Sequence, residues 1–211
     1  MKIHIEIVTG FLGAGKTSFI NSLLSESQVE GERVLVFQLE HGEKKIIQSS
    51  NKNFSIIVQA INQVHELKEQ MIYAIKEYNP NRIIIEYNGT VNLNDLLDIL
   101  NERIYKECCK ITTIFFVADG NNLRQYIENI GSFMIPFIQN AHMIVVNNTG
   151  ICKKEVLEES MRKIKNINPK AYILKVDNKY ILRSILREAK VLDNGYIKKL
   201  RIKLINHKKD Y

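Results

Sequence analysis

The sequence predicts a three-layer α/β fold: a largely parallel central sheet of about seven strands, covered by helices on both faces. Three observations predict it. Apolar, β-branched runs alternate along the chain with segments of helical spacing, and strands that take turns with helices pair in parallel through crossovers. Some of those runs are continuously apolar, as in Val34-Leu35-Val36-Phe37-Gln38-Leu39, and such a strand is buried on both sides. The first run passes through a glycine-rich loop directly into a helix.

Taken in order, Ile3-His4-Ile5-Glu6-Ile7-Val8 is β-branched and partly alternating, a strand. Ser18-Phe19-Ile20-Asn21-Ser22-Leu23-Leu24 sets Phe19, Ile20, Leu23 and Leu24 on one helical face. Gly31-Glu32-Arg33 punctuates before the second strand, 34–39. A polar stretch, 48–53, precedes a third, Phe54-Ser55-Ile56-Ile57-Val58. Residues 64–78 read as a helix with Leu67, Met71, Ile72 and Ile75 on one face. Asn79-Pro80-Asn81 ends it, because proline cannot continue a helix and restricts its predecessor. Arg82-Ile83-Ile84-Ile85-Glu86 is the fourth strand. Asn88-Gly89 turns the chain, and Asn92 or Asn94 caps a helix carrying Leu96, Leu97 and Leu100. Residues 111–117 form the fifth strand and 123–130 a short helix. Met143-Ile144-Val145-Val146 is the sixth strand. A helix over 153–167 is broken by Asn168-Pro169. Ala171-Tyr172-Ile173-Leu174-Lys175-Val176 is the seventh strand, and 179–189 the last helix. These elements make one domain, 1–190, without repeat or linker. In 191–211, Leu200, Ile202 and Leu204 alternate with Arg201 and Lys203, which predicts an edge strand or a loosely ordered basic tail.

Composition narrows the class. A chain of 211 residues with 45% hydrophobic and 25% charged residues is globular and can bury a core. No apolar run reaches membrane-spanning length, and the first residues lack a signal peptide's apolar region. The net charge of +7 sits partly in 198–209 and is otherwise dispersed, so nucleic acid is not an expected partner. Three cysteines, two adjacent at 108 and 109, make no disulfide framework. A reducing cytoplasm is the expected compartment.

The loop between the first strand and helix reads Gly10-Phe11-Leu12-Gly13-Ala14-Gly15-Lys16-Thr17. It fits G-x-x-x-x-G-K-[ST], the phosphate-binding loop, and makes the expected fold that of the P-loop NTPases. Glycines let the backbone turn its N–H groups inward, and the helix start adds free N–H groups and a favourable dipole. Gly10, Gly13, Ala14, Gly15, Lys16, Thr17 and Ser18 are the expected nucleotide-binding residues. Lys16 would reach the β- and γ-phosphates, and Thr17 would ligate Mg²⁺.

Ligands of open α/β sheets bind at the carboxyl ends of the strands. Polar groups gather there: Glu40 and Glu43 after the second strand, Glu86 after the fourth, Asp119 after the fifth and Asn147 after the sixth. An acid closing an apolar strand, as Glu86 does, is placed to supply the metal-side carboxylate. Lys16, Glu40, Glu43 and Glu86 are the candidate catalytic residues. His41 lies between two acids, so Glu40, His41 and Glu43 are a candidate transition-metal set.

In these motifs the chain resembles the CobW-type metallochaperone GTPases, a branch of the phosphate-loop GTPases shared with the urease and hydrogenase nickel-insertion proteins. The resemblance spans about 3–190. Ile7-Val8-Thr9 through Thr17 is similar to the family loop even at variable positions. Glu40-His41-Gly42-Glu43 is similar to its N-E-F-G-E switch segment, Ile85-Glu86-Tyr87-Asn88-Gly89 to I-E-[TS]-x-G, and Val117-Ala118-Asp119 to V-V-D. Val145-Val146-Asn147-Asn148-Thr149-Gly150 stands where the guanine-reading N-K-x-D would be, with Asn147 as its nucleotide-binding residue. The resemblance implies binding and hydrolysis of GTP to GDP with Mg²⁺, coupled to a client protein or a zinc or cobalt delivery step, and a possible homodimer. ATP stands as the alternative nucleotide.

The departures shape these expectations. Gln59-Ala60-Ile61-Asn62 stands where the family carries C-x-C-C, so thiolate metal ligands are missing. Gly150 replaces the Asp that accepts hydrogen bonds from guanine, which predicts weakened guanine selectivity. The family's C-terminal domain is not expected here. Two other functions stay open: a nucleotide-binding regulatory or scaffold subunit with little turnover, and an ATP-dependent small-molecule kinase. A ParA-like ATPase is disfavoured, because Phe11 follows Gly10 where its extra lysine would be.

Overall fold

The computed structural model describes residues 2–40, 44–51, 54–178, 181–188 and 196–207. Among them, eight strands form one sheet: β1 (Ile3–Gly10), β2 (Glu32–Gln38), β3 (Ser49–Asn51), β4 (Phe54–Ala60), β5 (Arg82–Asn88), β6 (Cys109–Asp119), β7 (Met143–Asn147) and β8 (Tyr172–Lys175). Their order is β3-β4-β2-β5-β1-β6-β7-β8. Every pairing is parallel except β3 with β4, and β3 is a short strand the sequence reading did not anticipate.

Alternation along each strand divides the core. Ile5, Ile7, Leu35, Phe37, Ile83, Ile85 and Phe116 face one layer of helices: α2 (Glu66–Tyr78), α3 (Leu93–Asn101), α4 (Arg103–Cys108), α5 (Gly120–Asn140) and α6 (Lys154–Ile167). Val8, Val34, Val36, Ile84, Phe115 and Val117 face the other, formed by α1 (Lys16–Ser27) and α7 (Leu182–Glu188). Burial on both faces is why these strands read as unbroken apolar runs.

Two expectations are corrected. The short helix over 123–130 is a helix of 21 residues that continues through Pro136. Leu123, Met134, Phe137 and Ile138 are all buried against the sheet, and that burial outweighs the local penalty of the proline. The edge strand or loose tail is instead α8 (Tyr196–His207). Its anchor is Ile202 and Ile205, three apart as on a helix, while Leu200 and Leu204 of the apparent alternation stay exposed. Lys198 Nζ donates to Ser27 O and pairs with Glu32 Oε1 at 2.9 Å, fixing α8 to the turn between α1 and β2.

Candidate functional site

β1 lies between β5 and β6, so the loop 10–17 leaves the sheet at its centre, flanked by the ends of β5 and β6. The loop is committed to glycine. Gly10 has φ 145°, and a Cβ there would come within 2.0 Å of Val117 O. Gly15, at φ 97°, is the left-handed cap that starts α1. Gly89 N donates to Gly10 O at 3.0 Å, tying the turn after β5 to the loop.

Lys16 is only 3% exposed. Its Nζ donates to Gly10 O at 2.7 Å and Phe11 O at 2.9 Å, and it pairs with Glu40 Oε2 at 2.7 Å. The ammonium is thus folded back under the loop, held by two carbonyls and one carboxylate. Glu40 is brought to the loop as expected from its place after β2. His41 and Glu43 lie outside the described residues.

Thr17 Oγ1 donates to Glu86 Oε1 at 2.6 Å, and Gln38 Nε2 donates to Glu86 Oε2 at 2.8 Å. The register explains the convergence: Gln38 and Val8 both stand opposite Glu86 across β5. Glu86 is 1% exposed. Burial pushes its carboxyl above the usual range, against the opposing pull of Thr17, Lys16 and Gln38. No ion pair reaches it among the described residues. A buried carboxylate served by a hydroxyl and an amide is a donor set of hard oxygens, and Thr17 and Glu86 fit a magnesium-type cation.

Asn147 supports the loop from β7. Its Nδ2 donates to Ala14 O at 2.8 Å, and a Cβ on Gly15 would meet that same nitrogen at 2.7 Å. Ser18 Oγ accepts from Lys44 Nζ at 2.7 Å, which brings a second cation to the mouth. Asp119 does not join the site. Its carboxylate caps α5 by accepting from Asn121 N.

Between these groups lies a cavity of about 530 Å³, within the size range of small-molecule sites. Gly13, Ala14, Gly15, Lys16, Thr17, Ser18, Glu40 and Glu86 line it, together with Asn147. Leu12, Lys44, Asn148 and Leu182 complete the wall and were not singled out from the sequence. Gln38 was missed too. Its one signal was its position at the end of a strand, and no sequence pattern gives its register against Glu86.

The thiols are elsewhere. Cys109 begins β6 opposite Ile3, at the far end of the sheet, and its Sγ lies 3.5 Å from Cys108 Sγ. Burial pushes the Cys109 thiol strongly up, so it is a poor ligand and nucleophile. In 59–62, read from the sequence as lacking the family's thiolates, Ile61 is fully buried. No group of three or more metal-ligating side chains occurs among the described residues.

The family model described as "CobW/HypB/UreG, nucleotide-binding domain" matches residues 4–175. The chain is 26% identical over 188 residues to the zinc-regulated GTPase metalloprotein activator 1 of Schizosaccharomyces pombe, covering 82% of this chain and 45% of that protein. Its fold is similar to that of the Zn(II)-bound YjiA GTPase from E. coli, with TM-score 0.62, 15% identity, and coverage of 82% of this chain and 57% of that one. It is also similar to the hydrogenase maturation factor HypB from Archaeoglobus fulgidus, with TM-score 0.50, 14% identity, and coverage of 89% and 90%. The chain therefore spans about half the length of the curated relative it matches. It belongs to the CobW/HypB/UreG family of nucleotide-binding domains.

Proposed function

We propose that this CobW/HypB/UreG domain is a magnesium-dependent guanine-nucleotide switch that hydrolyses GTP slowly and signals its state to a client protein. The observation that carries the reading is the convergence of Lys16, Thr17 and Glu86 at one cavity on the glycine loop, with Glu86 held from behind by Gln38. The loop amides and Lys16 bind the β- and γ-phosphates and draw charge from the leaving group. Thr17 and Glu86 would hold Mg²⁺, directly or through water, and that cation would neutralise charge developing on the phosphates. Glu40, which pairs with the Lys16 ammonium, is the acid proposed to position the attacking water, with Glu43 as the sequence's other candidate for that role.

The switch follows from competition. Glu40 and a γ-phosphate both seek the Lys16 ammonium, so triphosphate displaces Glu40 from that pairing. A client that reads the position of Glu40 reads the nucleotide. A transition-metal cargo, as the names of the relatives suggest, would meet oxygen and imidazole donors of Glu40, His41 and Glu43 rather than thiolates.

A second reading, a nucleotide-sensing subunit with little turnover, is favoured by one contact. Glu40 is engaged by Lys16 and is not free to orient a water. A nucleotide panel decides between them. Affinities for GDP, GTP, ADP and ATP with Mg²⁺ are measured first, then hydrolysis. The switch reading expects magnesium-dependent GTP binding and phosphate release on the order of 10⁻³ s⁻¹ or slower without a client. Binding with no phosphate release leaves the sensing subunit. Transfer of phosphate to a small molecule would identify a kinase.

A further inference from the structure

We propose that Asp177, in the turn after β8, is the residue that reads the guanine base; the inference rests on the nucleotide reading above. On sequence alone, Gly150 in place of the family's Asp deletes the base reader. The structure puts a carboxylate beside that position. Thr149 Oγ1 donates to Asp177 Oδ1 at 2.8 Å, and Gly150 N donates to Asp177 O. A Cβ built on Gly150 would stand 3.2 Å from Asp177 Cβ and 3.2 Å from its carbonyl oxygen. A side chain at position 150 would crowd Asp177, which would have to give by a few tenths of an ångström.

The location suits a base. Thr149 follows Asn148, which lines the cavity with Asn147 and with Leu182 of α7, and Asp177, hydrogen-bonded to Thr149, is exposed. Asn148 has φ 59°, the left-handed bend that turns the chain from β7 into the 3₁₀ turn Thr149–Ile151, where Thr149 N donates to Val176 O. Two backbone hydrogen bonds and one side-chain hydrogen bond thus clamp the turn after β8 onto the turn after β7.

Chemistry then selects the base. With Oδ1 fixed by Thr149, Asp177 keeps Oδ2 and one lone pair of Oδ1, and Oδ2 has no partner among the described residues. A carboxylate of this kind accepts from two neighbouring N–H donors. Guanine offers such a pair, at N1 and the exocyclic amine. Adenine offers an acceptor at N1, which a carboxylate repels. Hypoxanthine keeps N1–H and lacks the amine.

The test is displacement of a fluorescent guanine nucleotide by GDP, IDP, XDP and ADP from the full chain, as wild type, Asp177→Asn, Asp177→Ala and Thr149→Val. Wild type is expected to prefer GDP over ADP by about 10²-fold or more, with IDP between them. Asp177→Ala should bring GDP down to the ADP level and leave ADP unchanged, which also shows that the variant is folded. Asp177→Asn should lose GDP and gain XDP, because the amide donates to the xanthine O2 while its oxygen still accepts N1–H. Thr149→Val should narrow the GDP preference without abolishing it. A GDP preference that survives Asp177→Ala, or no gain of XDP in Asp177→Asn, would overturn the assignment. Equal wild-type affinity for GDP and ADP would overturn it too, and would leave the phosphate site standing. Affinity for none of the four would overturn both.

Discussion

Both ends of the sheet bury charge, and they treat it in opposite ways. Toward the amino ends of β2 and β5, Arg82 pairs with Glu6 Oε2, lies 3.8 Å from Glu32 Oε1 and donates to Ser27 Oγ, while Lys198 pairs with Glu32 at 2.9 Å. Two cations face two acids and the charges balance, though Glu32 Oε1 is met by ion pairing alone. At the carboxyl ends, Glu86 has only a hydroxyl and an amide, and Thr9 Oγ1 and Asn147 Oδ1 are buried without a hydrogen-bond partner among the described residues. A self-satisfied cluster has nothing to offer a ligand and serves the fold. An under-served cluster is suited to groups that the chain does not supply.

The first way to break that comparison is to remove one cation from each end. Lys16→Ala takes away the charge that faces the phosphates, and GTP affinity should fall about 10³-fold, or about 4 kcal/mol. Stability should fall by about 2 kcal/mol, less than at the other end because Glu40 keeps some contact with water. Titration calorimetry with a parallel urea melt checks both. Undiminished GTP binding by a folded Lys16→Ala protein would remove the basis for the site.

Lys198→Met tests the other end. Burial, and next the Arg82 cation, pulls the Lys198 ammonium below the ordinary lysine range, while Glu32 pulls it back. Losing the lysine leaves Glu32 buried with a more distant cation, and stability should drop by about 3 kcal/mol. The folded fraction should bind nucleotide as wild type does. Adding Glu32→Gln should recover part of the loss, because the double change removes the stranded charge. A single change that is neutral in urea unfolding would show that α8 is held by Ile202 and Ile205 alone.

Glu86→Gln sharpens the contrast, since stability and function should move oppositely. The folded protein holds the Glu86 proton more tightly than the unfolded chain does, because burial raises its pKa. The contribution of this group is therefore fully present below about 4.5, the ordinary carboxyl value, and is lost as pH rises through the folded value. At neutral pH the buried carboxylate opposes folding. Glu86→Gln should stabilise the nucleotide-free protein by about 1 kcal/mol at pH 7 and by little at pH 4. Magnesium-dependent GTP affinity should fall about tenfold. A Glu86→Gln protein that is less stable at pH 7 would mean that the carboxylate is a structural bond.

How much of this was legible follows from how each group is positioned. The loop and Glu86 were readable because covalent order puts them there: a glycine motif between strand and helix, and an acid closing an apolar strand. Asn147 was found for its place after β7, though its Nδ2 supports the loop through Ala14 O. Gln38, Lys44 and Leu182 were not readable as site residues, since each reaches the site through packing between elements distant in sequence. The helix α8 was misread because three apolar residues two apart also satisfy a strand pattern, and the deciding contacts of Lys198 and Ile202 are tertiary. The two ends of the sheet differ in this respect as well. Of the amino-end cluster, the sequence reading singled out no member for its charge.

Gln38 gives the smallest effect and the most discriminating one. Its side chain is not part of the cavity wall and acts through its hydrogen bond to Glu86 Oε2. That bond favours the charged carboxylate, so it lowers the pKa that burial raises. Gln38→Met keeps the volume and removes the donor. At neutral pH, magnesium-dependent GTP affinity should fall only about threefold. The acid limb of the affinity profile should shift to higher pH, because Glu86 now takes up its proton sooner. GDP binding without Mg²⁺ should not change. A merely structural Gln38 would lower affinity by the same factor at every pH, with or without the cation. A parallel shift of that kind in fluorescence titrations from acid to neutral pH would detach Gln38 from the site and leave Thr17 as the sole donor tuning Glu86.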